Sequence, residues 1–236
     1  MENLDILDLS NNKIKGNIPM WLQEVGKDSL YSLNLLYNSL TNIRHLPWKN
    51  LQVLDLSYNF LQGPLPIPPL GTYFFSVSRT NLSGNIPSLI CNITSLDVLV
   101  LSHNHLRNMI PLCLGNFSDS LTVLDLRSNK LNGTIPATFT KGNYLRSLNL
   151  NDNQLERSLP RLLINCSWLE VLDLGNNNIN GTFPHWLEKL PELRVLVLRS
   201  NKFHGAIANP TTKFSFPNLQ IIDLSHNDFH SLLCMF

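Results

Sequence analysis

The sequence predicts an α/β repeat, a right-handed solenoid wound about ten times, and three observations predict it. The string LxxLxLxxNxLxGxIP recurs along nearly the whole 236-residue chain at a spacing near 24 residues, and self-similarity at roughly 20 to 29 residues marks a coil repeated many times. Inside each copy two leucines stand two apart, as on a strand with one buried face. Glycine and then proline close the copy, where the chain must turn and start again.

The coils open at Leu4, Leu30, Leu51, Thr72, Leu96, Leu121, Leu145, Leu169, Leu193 and Leu219 and are numbered 1 to 10 in that order. The eighth fills every position of the pattern. Leu172 and Leu174 point to one face of its strand, while Val171, Asp173 and Gly175 point to the other. Pro184 suits the first position of a short helical turn on the far side. A single coil buries too little to order itself, so burial is complete only when neighbours stack with strands about 4.8 Å apart. The expected architecture is a leucine-rich repeat solenoid of the plant-specific type, with a concave parallel β-sheet and short convex helices.

Asn177 stands where the chain turns inward, and its amide offers two donors and an acceptor to backbone groups of adjacent coils. Its counterparts are Asn12, Asn38, Asn59, Asn104, Asn129, Asn153, Asn201 and Asn227. Coil 4 breaks this ladder with Thr80, a shorter side chain that makes fewer bonds, and a local weak point is expected there. Gly16, Gly84, Gly133, Gly181 and Gly205 share the glycine position. Asn108, Arg157 and Ser231 occupy it in other coils, which must turn differently or accept strain.

Composition excludes several classes of function. Charged residues make up 15% and the formal net charge is +1, too weak a field to gather nucleic acid or an anionic membrane. No apolar stretch is long enough to cross a bilayer. Met1 to Leu4 lead straight into the first repeat with no secretion signal, and Cys234 stands near the other end where a proline would fall. Neither end carries the polar cap a solenoid needs. Residues 1–236 are therefore expected to form one domain of about ten repeats, uncapped at both ends and cut from something longer.

No catalytic or metal site is expected, and no cofactor. His103 and His105 flank Asn104 without a third ligand in view. Asp8, Asp55, Asp125, Asp173 and Asp223 recur at one strand position, as a solvated row of the sheet does. Cys166 falls at a core position. Cys91 and Cys113 lie in consecutive coils on the helical side, close enough for a possible disulfide if the compartment is oxidising. Asn-x-Ser/Thr sequons begin at Asn81, Asn92, Asn116, Asn132, Asn165 and Asn180. Three of these candidate glycosylation sites, Asn92, Asn116 and Asn165, share one register on the convex side.

The GxIP extension at Gly16 to Pro19, Gly84 to Pro87 and Gly133 to Pro136 resembles the plant-specific class of these repeats. The stretches LQVLDLSYNFLQGPLPIPP, CLGNFSDSLTVLDLRSNKLNGTIP and PHWLEKLPELRVLVLRSNKFHG resemble, more narrowly, the Cf-type receptor-like proteins of plant immunity. That resemblance implies an extracellular solenoid at the plasma membrane, anchored by one transmembrane helix outside this chain. It also implies signalling through a co-receptor kinase in response to a peptide or protein ligand. A secreted inhibitor of microbial wall-degrading enzymes and a receptor kinase ectodomain remain alternatives.

Concave positions vary from coil to coil, and a rigid sheet recognises its partners there. Tyr31, Tyr37, Tyr58, Tyr73 and Phe74 supply aromatic contacts in the early coils. Arg127, Arg146, Arg194 and Arg199 follow in the later ones, suited to a carboxylate or other acidic group. The expectation is one surface graded from aromatic to basic.

Overall fold

The structure is a computed structural model that describes residues 3–43, 45–116, 120–207 and 216–232. Each coil contributes one three-residue strand, from Ile6–Asp8 through Val171–Asp173 to Ile221–Asp223, and the ten strands form a parallel sheet in chain order. Register never slips within it: Leu148 lies beside Leu172, and Leu172 beside Leu196. Central residues such as Leu33, Leu54, Phe75, Leu99 and Leu172 are fully buried, while their neighbours on the strand stay half-exposed except Ser76, which is buried. This is the period-two alternation of a sheet with one wet face.

The asparagine spine repeats one hydrogen-bond pattern. Asn177 Nδ2 donates to the Leu150 carbonyl of the preceding coil at 3.0 Å, and its Oδ1 accepts from the Leu155 amide at 2.9 Å. Asn201 does the same with Leu174 and Ile179, and Asn38, Asn59, Asn104, Asn129, Asn153 and Asn227 follow suit. Asn12 is exposed and bonds only to Leu9 and Ser10 of its own coil. In the Thr80 coil the hydroxyl turns forward to Asn104 and reaches nothing behind. Between coils 3 and 4 a different pair takes over, with the Ser57 and Ser76 hydroxyls 2.7 Å apart and the Ser78 amide donating to Ser57 at 3.0 Å.

A second sheet lies beyond the spine, which the leucine pattern alone does not foretell. Eight short parallel strands, Gln62–Gly63 to Asp228–Leu232, run through coils 3 to 10, and Lys15–Asn17 pairs separately with Ser39–Asn42. The glycine position ends or interrupts these strands in the left-handed region, with φ of 88° at Gly84 and 75° at Gly133. Asn108 and Arg157 hold the same conformation at 69° and 66° and so carry the strain that glycine avoids. Ser231 instead continues its strand beside Ala206.

On the convex side the helical turns are short and follow proline. Met20–Glu24 is α-helical, while Ser88–Asn92, Leu112–Gly115, Arg161–Asn165 and His185–Lys189 are 3-10 turns. Not every coil has one. In coil 3 the run Pro64, Pro66, Pro68 and Pro69 removes the amide donors a helix requires. In coil 6 the Asn143 side-chain amide bonds to the Thr140 carbonyl three residues back, a local competition that disfavours helix. Cys91 and Cys113 are disulfide-bonded across two of these turns, their Cα atoms 6.0 Å apart. Cys166 is fully buried, and burial pushes its thiol up to about 11. Cys234 lies outside the described residues.

Candidate ligand-binding face

Two rows of side chains flank the concave strands, one before and one after each strand. The first row precedes each strand. Here the Tyr31 and Tyr73 hydroxyls meet at 3.0 Å, reaching over coil 3, and this hydrogen bond raises the Tyr73 phenol above its ordinary range. Thr122 bonds to Asp97 in the same row. Arg146 and Arg194 both close on Glu170, at 2.9 and 3.4 Å, and the Arg146 guanidinium also lies 5.7 Å from the Trp168 ring centre. The row links coils to one another, while the Arg146 and Arg194 side chains stay 54% and 50% exposed.

The second row follows each strand and is more open. Its backbone is unusual: the residue before every ladder position is left-handed, with φ between 51° and 57° from Asn11 to His226. Tyr37 and Tyr58 hold this place in adjacent coils and pack with ring centroids 4.1 Å apart and planes tilted by 32°, and a hydrogen bond between their side chains raises the Tyr37 phenol above its ordinary range. The Arg79 guanidinium continues the run 5.4 Å from the Tyr58 ring centre. His103 comes next, its imidazole held below its usual range by burial and then by the charges of Arg79 and Arg127. Arg127 pairs with Asp125 at 3.3 Å through a side chain that is 48% exposed, so its remaining donors face solvent.

Gly175 adds a notch between Asn151 and Arg199. A Cβ there would lie 2.7 Å from the Asn151 amide nitrogen and 3.2 Å from the Arg199 Cγ. The missing side chain lets those two neighbours occupy the space from either side.

The single graded surface expected from the sequence is thus divided. Tyr31, Tyr73, Arg146 and Arg194 belong to the row before the strands, Phe74 is half-buried within its strand, and Tyr37, Tyr58, Arg127 and Arg199 stand in the row after them. Sequence reasoning overlooked Arg79. The signal that would have found it is positional, since it precedes Thr80 just as Tyr58 precedes Asn59. Tyr144 and Trp168 were missed too; they are 46% and 44% exposed where coils 5 and 6 place Ser95 and Ser120.

The recurring aspartates cap the strand ends. Each accepts from the amide two residues on, as Asp8 does from Ser10 at 2.8 Å and Asp223 from Ser225 at 3.0 Å. The Ser10 amide holds the Asp8 carboxyl below the ordinary value, the Ser225 hydroxyl at 2.7 Å and then its amide do the same for Asp223, and burial raises Asp125. His103 is half-buried and His105 exposed on the second sheet, and no group of three or more potential metal-ligating side chains exists among the described residues. Of the sequon asparagines, Asn81, Asn92, Asn116, Asn132 and Asn180 are exposed. Asn165 is half-buried and donates to the Phe139 carbonyl at 2.8 Å.

A parallel sheet on an asparagine spine, with varied side chains over a constant scaffold, defines a leucine-rich repeat protein. The leucine rich repeat family models match residues 94–155 and 143–203, and also residues 3–25 and 50–70. Receptor-like protein 7 of Arabidopsis thaliana is 53% identical over 98% of this chain, which spans 24% of that relative. Receptor-like protein 6 of the same plant is 46% identical over 61% of the chain, corresponding to 15% of its own length. Among solved structures, the Arabidopsis receptor kinase HAESA, in complex with the peptide hormone IDA and the co-receptor SERK1, superposes with a TM-score of 0.84 at 30% identity. That superposition covers 96% of this chain and 38% of HAESA. The chain belongs to the plant leucine-rich repeat receptor-like proteins. No helix among its described residues is long and apolar enough to cross a membrane.

Proposed function

We propose that this solenoid is a ligand-sensing section of a plant defence receptor's ectodomain, binding a peptide or protein ligand on the open side of its concave face without catalysis. The observation that carries this reading is the run Tyr37, Tyr58 and Arg79, a close, tilted aromatic pair continued by a guanidinium. Tyr and Arg are the residue types that dominate recognition surfaces, and held against one another they lose little freedom on binding. Arg127 and Arg199 extend the same side toward an acidic group of the ligand. Occupation is then relayed through a co-receptor kinase at the extracellular face of the plasma membrane, a compartment that suits the Cys91–Cys113 bond.

The test uses an intact receptor carrying this segment, challenged with fractionated microbial protein and read by the oxidative burst of the plant cell. Tyr58→Ala with Arg79→Ala should weaken the response at least tenfold while leaving surface abundance unchanged. Arg146→Ala with Arg194→Ala should have a much smaller effect. Equal responses from both pairs would remove the assignment of the ligand to the open row.

A further inference from the structure

Beside the second sheet, coils 7 to 9 enclose a recess of about 620 Å³, and Asn180 lines it. We propose that Asn180 carries an N-linked glycan whose first sugars lie in this recess against its aromatic wall. The inference rests on the extracellular reading above and goes beyond it, because it distinguishes one sequon from the others by what surrounds it.

Asn180 begins the sequon Asn180, Gly181, Thr182 on the strand Asn178–Thr182, with its side chain exposed. The recess is lined by His185 and Trp186 of the following 3-10 turn, while Phe183, just before that turn, and Phe203 of the next coil reach it from the core at 3% and 1% exposure. Phe183 and His185 meet edge to face at 4.8 Å, and His185 and Trp186 are each half-buried. Of these rings, the half-buried indole of Trp186 and imidazole of His185 are the ones that can meet the polarised C–H groups on the apolar side of a pyranose. Arg161 and Lys189 at the margin supply donors for sugar hydroxyls. A half-open cavity with an apolar wall and a few convergent polar groups is the usual form of a small-ligand site.

Asn132 holds the corresponding position two coils earlier and serves as an internal control. The residues after it are Ile135, Pro136, Ala137 and Thr138, so no ring stands where His185 and Trp186 stand. Asn165 differs in another way, its amide already committed to Phe139.

Attachment needs only the ordinary secretory chemistry. The Asn180 amide nitrogen attacks the anomeric carbon of a lipid-pyrophosphate-linked oligosaccharide. The new bond is C–N, the bond broken is the anomeric C–O to pyrophosphate, and one amide proton passes to a base of the transferase while the lipid pyrophosphate departs. Once the chain has folded, the proximal sugars are shielded and the distal ones extend from the flank.

The experiment secretes the whole chain from plant cells behind a signal peptide and measures site occupancy by glycopeptide mass spectrometry. A peptide-N-glycosidase active on plant glycans is then applied to the folded protein. Release at Asn180 should be at least tenfold slower than at Asn132, and denaturation should make the two rates equal. Trp186→Ala should bring the Asn180 rate toward that of Asn132, and Thr182→Ala should abolish the Asn180 glycan while sparing the others. Occupancy at Asn132 with Asn180 bare, or equal release from both in the folded wild-type chain, would overturn the proposal while leaving the extracellular reading intact. Six bare sequons would count against both. The wild-type comparison stands even if the Trp186 variant fails to fold.

Discussion

The Thr80 hydroxyl donates to Asn104 Oδ1, the same oxygen that accepts the Leu82 amide at 3.0 Å. Coil 4 therefore leans on the spine of coil 5 and sends no side chain of its own back to the Leu56 carbonyl or the Leu61 amide. Thr80→Asn would restore both bonds. At about 1 kcal/mol net for each hydrogen bond, it should stabilise the chain by roughly 1 to 2 kcal/mol, measured as a higher urea midpoint. A lower midpoint would mean that the Ser57 and Ser76 bridge already replaces the missing amide.

In the middle of the ladder the opposite change is severe. Asn177→Ala leaves the Leu150 and Leu174 carbonyls and the Leu155 amide without their side-chain partner. Unsatisfied buried groups of this kind cost about 1 to 3 kcal/mol each before relaxation, so a loss of roughly 2 to 4 kcal/mol is expected. Asn12→Ala, at the exposed first coil, should cost less than about 1 kcal/mol. Similar unfolding curves for the two variants would refute the idea that inter-coil bonds set the value of this position.

Replacing Cys91 and Cys113 by serine removes a link between residues 22 apart in sequence. Constraint of the unfolded chain by a loop of that length corresponds to roughly 3 kcal/mol. The double variant should melt earlier than the oxidised protein and no longer respond to reductant. A wild-type melting curve indifferent to reductant would contradict the expectation.

His103 makes a prediction about pH. Burial and the charges of Arg79 and Arg127 depress its folded value below the ordinary 6.5. In the window just below that value the unfolded chain binds more protons than the folded one, so stability rises with pH there. The contribution is complete above the ordinary value and is lost as pH falls through the folded one. Melting temperature should accordingly drop slightly between pH 7 and pH 5, and His103→Gln should flatten that slope. Asp125, raised by burial, contributes with the opposite sign, its stability falling as pH rises, and is separable on that ground. An unchanged slope in the glutamine variant would assign the pH dependence elsewhere.

Much of this architecture was readable residue by residue, because stacking makes one coil's requirements common to all. Leucines two apart set the strand, and an asparagine three residues after the second one set the spine. The second sheet was hidden, since its strands are two to six residues long and polar on one side. They exist through pairing with the coils beside them rather than through a pattern of their own. The candidate site was only half-readable. Arg146 and Arg127 look alike in sequence, and it takes the position of Glu170 two residues before Leu172 to show that one guanidinium is engaged within the first row. Asparagine in a sequon likewise says nothing of a Phe139 carbonyl lying in the adjoining coil.

The left-handed residue ahead of each spine position has a consequence for how such proteins diversify. From coil 1 to coil 9 its amide is fixed to a carbonyl of the next coil, as in Tyr58 to Ser78 at 2.9 Å and Asn176 to Arg199 at 2.9 Å. The scaffold thus dictates the main chain and makes few demands on what projects from it. Asn, Tyr, Arg, His, Ser and Asp all occur there, while the β-branched Val, Ile and Thr, which tolerate positive φ poorly, are absent. Exchanging letters within that permitted alphabet, or duplicating a coil with its letter, would rewrite the message along the edge without recasting the frame that carries it.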